Sequence, residues 1–124
     1  MPAAAPKELS SIDEQFIRKA LQIINEHLSE EEFSVNQFCK EVGLSEVQTF
    51  RKIKALSGKS PSSFIKSIRL IKARKMIEAK KGNISEIAYS VGFGSPSYFT
   101  KCFKEEYGYP PSDIVTKNSS NLLL

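Results

Sequence analysis

The chain has 124 residues, 40% hydrophobic and 26% charged, with two cysteines, one histidine and a formal net charge of +4. That length suits one compact domain or two very small units sharing an element, and the composition is that of an ordinary globular protein. No apolar run approaches the ~18 residues of a membrane span, and the start, MPAAAPKELSS, lacks the basic-then-apolar order of a signal peptide, so a cytoplasmic chain without membrane contact is expected. A single histidine, no paired carboxylates, no glycine-rich phosphate loop and no metal-ligand spacing argue against an enzyme. No catalytic residue, metal site or cofactor is expected.

Charge is unevenly placed. Residues 1–44 carry four Lys/Arg against eight Asp/Glu, residues 45–81 eleven against two, and residues 82–124 three against four. The nets are −4, +9 and −1. A basic block between acidic and near-neutral flanks points to a polyanionic partner, against the plainer alternative of a solvated helical face.

Residues 1–10 read as a linker or leader. Ser11-Ile12-Asp13-Glu14 has capping-box spacing and opens a helix to about Leu28, with Phe16, Ile17, Ala20, Leu21, Ile24 and Leu28 on its apolar face. His27 has no second ligand or nucleophile nearby and reads as a surface residue favoured by the helix dipole. Ser34 caps a short helix, Gly43 breaks it in a left-handed turn, and Ser45 caps the next, which ends at Gly58. Helix, three-residue turn with glycine, helix is the pattern of a helix-turn-helix.

A long helix follows over 60–81, starting at Ser60-Pro61 and stopping at Gly82-Asn83. At about 100° per residue its apolar residues fall on two faces. Phe64, Ile68 and Ile71 share one, and Leu70, Ala73 and Ile77 lie nearly opposite. Such a helix is a strut between two small cores; about 19 residues at ~1.5 Å each would hold them roughly 28 Å apart.

Beyond the strut the pattern repeats. Phe38, Val42 and Gly43 recur 49 residues later as Ile87, Val91 and Gly92, and Ser45, Ile53, Gly58 and Pro61 recur 50 later as Ser95, Phe103, Gly108 and Pro111. One residue near Gly94 is inserted in the second turn. Cys39 matches Ala88, a small residue for close helix packing, whereas Cys102 matches Lys52 and is expected outward and reactive. Both are expected as reduced thiols. A turn from Pro110-Pro111-Ser112-Asp113 closes the second unit, and 116–124 reads as a disordered tail. The organisation is therefore all-α, about seven helices: a first helix-turn-helix unit at 11–59, the strut at 60–81 and a second unit at 82–115.

A helix-turn-helix presents the early part of its second helix to a DNA major groove. With Thr49, Ile53 and Leu56 taken by the first core, Val47, Gln48, Phe50 and Arg51 point outward as candidate base contacts. In the second unit Phe99 and Phe103 face inward and leave Ser97, Tyr98, Thr100 and Lys101. Arginine can pair bidentately with guanine, glutamine with adenine, and apolar side chains meet thymine methyls. Ser45, Lys54, Ser95 and Lys104 are candidate phosphate contacts. The alternative for each is an exposed helical residue, but Phe50 beside Arg51 on an outer surface is then unexplained.

The runs SVNQFCKEVGLS, RKIKALSGKSPSSFIKSIRLIKARKMI and ISEIAYSVGFGSPSYFTKCFKEEYGYPPS resemble the AraC-type DNA-binding domain across residues 11–115. The second half is the more specific, with ISEIAYSVGF, SPSYFTKCFK and GYPPS close to that family's signature. The resemblance implies two helix-turn-helix units joined by a long helix, double-stranded DNA as partner in two successive major grooves, and transcriptional activation or repression with RNA polymerase. Its groove-facing positions fall on Val47, Phe50, Arg51, Ser97, Thr100 and Lys101. Phe50 stands where a polar reader is common, Lys101 where arginine is common, and Ile114-Val115 where Tyr-Arg often ends the domain. The wording looks most like the output domain of response regulators and hybrid two-component regulators, with a sensor or receiver domain in the same full-length chain. The alternatives are a free-standing small regulator of this type and a helical protein-interaction module.

Overall fold

Six helices start at a side chain that accepts a hydrogen bond from the helix's own first turn. Ser10 caps α1 (Ser11–Glu26), Ser34 α2 (Val35–Val42), Ser45 α3 (Glu46–Ser57), Ser60 α4 (Pro61–Glu78), Asn83 α5 (Ile84–Ser90) and Ser95 α6 (Pro96–Tyr107). Each oxygen satisfies an N–H that the helix itself leaves unbonded. A further helical turn covers 112–115. This computed structural model describes residues 10–115, so the leader short of Ser10 and the tail at 116–124 lie outside the described residues. Among the described residues there is no strand. The fold is all-α, two helix-turn-helix subdomains sharing the long helix α4, as the sequence pattern implies.

Three boundaries differ from expectation. The cap of α1 is Ser10, whose Oγ accepts from Asp13 N–H at 3.1 Å, so Ser11 lies inside the helix. α1 ends at Glu26, not Leu28, and the chain turns at His27. α4 ends at Glu78, three residues before Lys81: Lys80 takes a left-handed φ of 55°, its N–H donates to Ile77 O at 3.0 Å, and Lys81 N–H donates to Met76 O at 2.9 Å. That is a Schellman ending built without glycine.

Two hydrophobic cores form, one on each side of α4. The first gathers Phe16, Ala20 and Ile24 of α1, Phe38 and Val42 of α2 and Ile53 of α3 around Phe64 and Ile65. The second gathers Leu70, Ala73 and Ile77 of α4 with Ile87, Val91, Phe99, Phe103 and Ile114. Ile71, expected in the first core, is 44% exposed. Ile65 takes its place: with Phe64, Ile65 and Ile68 defining the inward direction, Ile71 points about 70° away from it. Cys102, expected outward, is only 4% exposed and belongs to the second core. Its counterpart Lys52 is not fully outward either, since its ammonium lies 5.2 Å from the Phe16 ring centroid and 3.6 Å from Asp13 Oδ1. In both units this position faces a neighbouring helix.

The cores meet at Arg69. On α4 this residue points about 140° from Phe64, between the direction of the first core and that of the second. Its side chain is 6% exposed. Nη1 donates to Leu28 O at 2.9 Å and Val91 O at 3.0 Å, and Nη2 to Glu30 O at 2.8 Å. One guanidinium thus ties the end of α1 to the end of α5. Gly92, beside it, has φ +91°, and a Cβ there would collide with Arg69 Nη1. The turn of the second unit therefore needs glycine for backbone conformation and for space alike. A second tie is Ser67, buried on α4, whose Oγ donates to Glu106 Oε1 at 2.8 Å on α6.

His27 is not a plain surface residue. Its ring stacks on Phe33 with centroids 4.4 Å apart, while Nδ1 and Nε2 lie 2.8 Å from carboxylate oxygens of Glu30 and Glu41. The Glu41 hydrogen bond raises its pKa above the usual 6.5, with Glu30 adding and burial opposing.

Two outcomes are expected. Arg69→Ala strands three carbonyls at the junction and should lower the unfolding free energy by about 3–5 kcal/mol; a loss under ~1 kcal/mol in urea titration would mean that water replaces the guanidinium. For His27 the folded pKa lies above the unfolded one. Its stabilisation is therefore full below the unfolded pKa of about 6.5 and fades as pH rises through the raised folded value. The gap in denaturation midpoint between wild type and His27→Gln should be widest below about pH 6 and shrink as pH rises above the unfolded pKa. A gap independent of pH would show that stacking alone holds the ring.

Candidate nucleic-acid interface

In each unit a three-sided core leaves one face of the second helix outside. On α3, Thr49 and Ile53 are buried, Leu56 is half-buried, and Val47, Gln48, Phe50, Arg51 and Lys54 are exposed. Val47 is 59% exposed and Phe50 48%. They sit three residues apart and Arg51 four from Val47, so the three make one surface on the first turns of the helix. An apolar pair of this size beside an exposed guanidinium has no packing role in the fold. On α6, Phe99 and Phe103 are buried, and Ser97, Tyr98, Lys101 and Lys104 are exposed, whereas Thr100 is half-buried and reaches the surface only in part.

Several of these side chains already have intramolecular work. Gln48 Oε1 accepts from Ser45 N–H at 3.1 Å while Ser45 Oγ accepts from Gln48 N–H, a reciprocal capping box. A bidentate adenine contact by Gln48 would have to break half of that box. Lys54 Nζ donates to Gly58 O at 3.1 Å at the far end of α3, which draws it away from the first turns. Tyr98 leans on Phe93, ring centroids 5.8 Å apart. Hydrogen bonding to Cys102 raises its phenol pKa. Ser95 Oγ accepts from Tyr98 N–H at 3.1 Å. The capping hydroxyl of Ser45 keeps its own hydrogen to donate at a helix N-terminus, where anions are favoured, whereas that of Ser95 also lies 3.4 Å from Ser97 Oγ.

The basic block is less concentrated in space than in sequence. Of its eleven cations, Lys52 meets Asp13, Lys59 meets Glu106, Arg74 meets Glu78, and Arg69 is buried at the junction. Arg51 and Lys54 remain exposed on α3, and Lys72 and Lys75 on α4. Sequence reasoning missed Arg69, treating it as one more solvated charge. A signal was present, because Arg69 stands four residues after Ile65 and four before Ala73, in register with core positions on both sides. It also missed Glu31, whose carboxylate lies against Gly94, the residue inserted in the second turn.

No cluster of three or more His, Cys, Asp or Glu that could hold a metal is found among the described residues, and none of their helices is long and apolar enough to cross a membrane.

Comparison with known proteins agrees with this geometry. A family profile described as a helix-turn-helix domain matches residues 38–117. A protein of Formosa agariphila named Histidine kinase P4 is 43% identical over 111 residues, 90% of this chain but 8% of that protein. The HTH-type transcriptional activator RhaS of Salmonella schwarzengrund is 34% identical over 94 residues, 73% of this chain and 32% of RhaS. The chain thus spans less than a third of the length of either curated relative. The solved C-terminal domain of AraT, a response regulator from Geobacillus stearothermophilus, superposes with a TM-score of 0.71 at 29% identity, covering 87% of this chain and 86% of that one. Taken with two exposed second helices on a shared strut, these matches show that the chain belongs to the AraC-type helix-turn-helix DNA-binding domains of transcription regulators, which are binding proteins and not enzymes.

Proposed function

We propose that this chain is the DNA-reading output segment of a larger signal-responsive regulator in the cytoplasm, with α3 and α6 in two successive major grooves of one duplex. The observation that carries this reading is the pair of exposed, unlike recognition surfaces, Val47-Phe50-Arg51 and Ser97-Tyr98-Lys101, held by one helix whose middle is pinned by Arg69. A flexible tether between the units would carry no such clamp. The placement as an output segment is supported by a histidine kinase and a response regulator among the similar proteins. A sensor or receiver domain in the same full-length chain, and RNA polymerase as the target of the bound protein, follow from that placement.

In functional terms the chain divides into a first reader at 11–59, a strut at 60–81 and a second reader at 82–115. Arg51 is the residue best placed to pair with a guanine, with Val47 and Phe50 against thymine methyls beside it. Ser97 and Lys101 lead the second reader, Tyr98 and Thr100 flanking them. Ser45 and Ser95 donate to phosphates at the helix starts. Lys104 and, once released from Gly58, Lys54 add charge along the backbone. Gln48 is the weakest base reader of the set, because its amide is committed to the cap.

Arg51→Ala should weaken binding to the selected best site by about 1–3 kcal/mol and relax preference at a single base pair. Equal loss on every duplex would make Arg51 a phosphate contact. The second expectation concerns spacing. The two half-sites should lie about one turn apart, roughly 34 Å, and differ in sequence. Inserting about five base pairs turns them to opposite faces, and a monomer on a pinned strut should lose most of its specific affinity. Equal affinities in titrations on both spacings at fixed salt would refute the rigid arrangement.

A further inference from the structure

Between the two units lies a cleft of about 470 Å³, walled by Phe33 and Ile65 on the side of the first core and by Phe93 and Tyr98 on the side of the second. Small-molecule sites run from about 300 to 1,000 Å³ and combine apolar walls with a few polar groups. The charge of this cleft is unbalanced. The guanidinium of Arg69 forms part of its wall, is buried, and hydrogen-bonds only to the neutral carbonyl oxygens of Leu28, Glu30 and Val91. Among the described residues no carboxylate lies within ion-pair distance of it. Buried charges are ordinarily paired, so a buried cation on a cavity wall without a close counter-charge is unusual. Lys66, three residues earlier on α4, lines the same cleft, half-buried and also without an ion pair. Ser95 brings the positive end of α6, a 12-residue helix, to the rim. Against these stand Glu31, the one carboxylate of the cleft lining, close to Gly94, and Glu30 just outside it, whose charges both favour the charged form of Arg69 and leave Lys66 unmatched.

We propose that this cleft binds a small apolar anion, a compact aromatic or hydrocarbon body bearing one carboxylate or sulfonate. The body lies between Phe33 with Ile65 and Phe93 with Tyr98, and the anionic group meets Lys66 with Arg69 behind it. A neutral apolar molecule would leave Lys66 without a counter-charge. A bare inorganic anion would leave the aromatic walls wet. Because Ser95 and Tyr98 begin α6, an occupant touches the start of the second recognition helix, and only in that consequence does the inference rest on the DNA-binding reading.

The test is an amide NMR titration of the full chain with 2-naphthoate, without DNA. Saturable shifts are expected at residues 31–35, 62–69 and 92–98. Lys66→Met should weaken binding about tenfold, the loss of one charge-assisted contact, while leaving the thermal midpoint unchanged. Uncharged 2-naphthalenemethanol and inorganic phosphate should each bind at least about tenfold more weakly than 2-naphthoate. Shifts centred elsewhere, indifference to Lys66→Met, or phosphate binding as tightly as naphthoate would each overturn the site. A chain that binds duplex but not naphthoate removes the cleft proposal alone. One that binds naphthoate at these residues but no duplex removes the DNA reading and keeps the cleft.

Discussion

The architecture depends on one buried guanidinium. Arg69 spends three hydrogen bonds on carbonyls at the ends of two helices from different units. Those carbonyls are of the kind a helix end or turn leaves without an internal partner. Charge-assisted bonds to them are stronger than neutral ones. Burial pushes the Arg69 pKa down, with Glu30 and Glu31 opposing, yet an arginine starts so high that it stays charged. Lysine could not serve as well, since its compact ammonium lacks the planar fork that reaches Leu28 and Val91 from one nitrogen and Glu30 from the other. The strut is thus more than a spacer, because its middle is where the two units touch.

That contact changes what the duplication means physically. Each unit has too few residues to hold a large core, and domains of such size are marginal alone. The second unit compensates with aromatic packing: Phe93, Phe99, Phe103, Tyr107 and Tyr109 form a chain of ring contacts 4.6–6.3 Å apart. The first unit places Thr49 where the second has Phe99 and recruits α1 instead, with Phe16 and Ile24 filling the space. The turn after α1 then does a second job, since Leu28 packs against the second core and offers its carbonyl to Arg69. Unequal cores are therefore stabilised as one body.

The sequence showed the helix order, the caps at Ser34, Ser45 and Ser95, and the two-faced strut, because local chemistry and periodicity determine those features. It showed which faces of α3 and α6 are exposed for the same reason: the side of a helix that carries no core residue is outward. What it did not show depends on contacts distant along the chain. The carbonyls that Arg69 meets, the inward position of Cys102 and the reach of His27 to Glu41 all follow from which element lies opposite, and no local pattern states that. The early end of α4 is a different kind of miss, since Lys80 adopts a conformation for which glycine is the usual signal.

The inserted residue in the second turn ties these threads together. The first turn passes from Gly43 to Ser45 through one residue; the second passes from Gly92 to Ser95 through Phe93 and Gly94. Phe93, buried, stands where the first turn has the half-buried Leu44, and the extra residue carries the chain past Glu31 before α6 begins. The second turn packs on Arg69 and on the loop after α1, while the first turn has no such neighbour: a Cβ at Gly43 would meet nothing, and one at Gly92 would meet Arg69 and Leu28. The turn that leads into α6 therefore rests in part on the other half of the molecule, and the turn that leads into α3 does not. A change in the loop at 28–33 therefore reaches the turn before α6 through Arg69 and Gly92, although the loop lies in the first half of the chain.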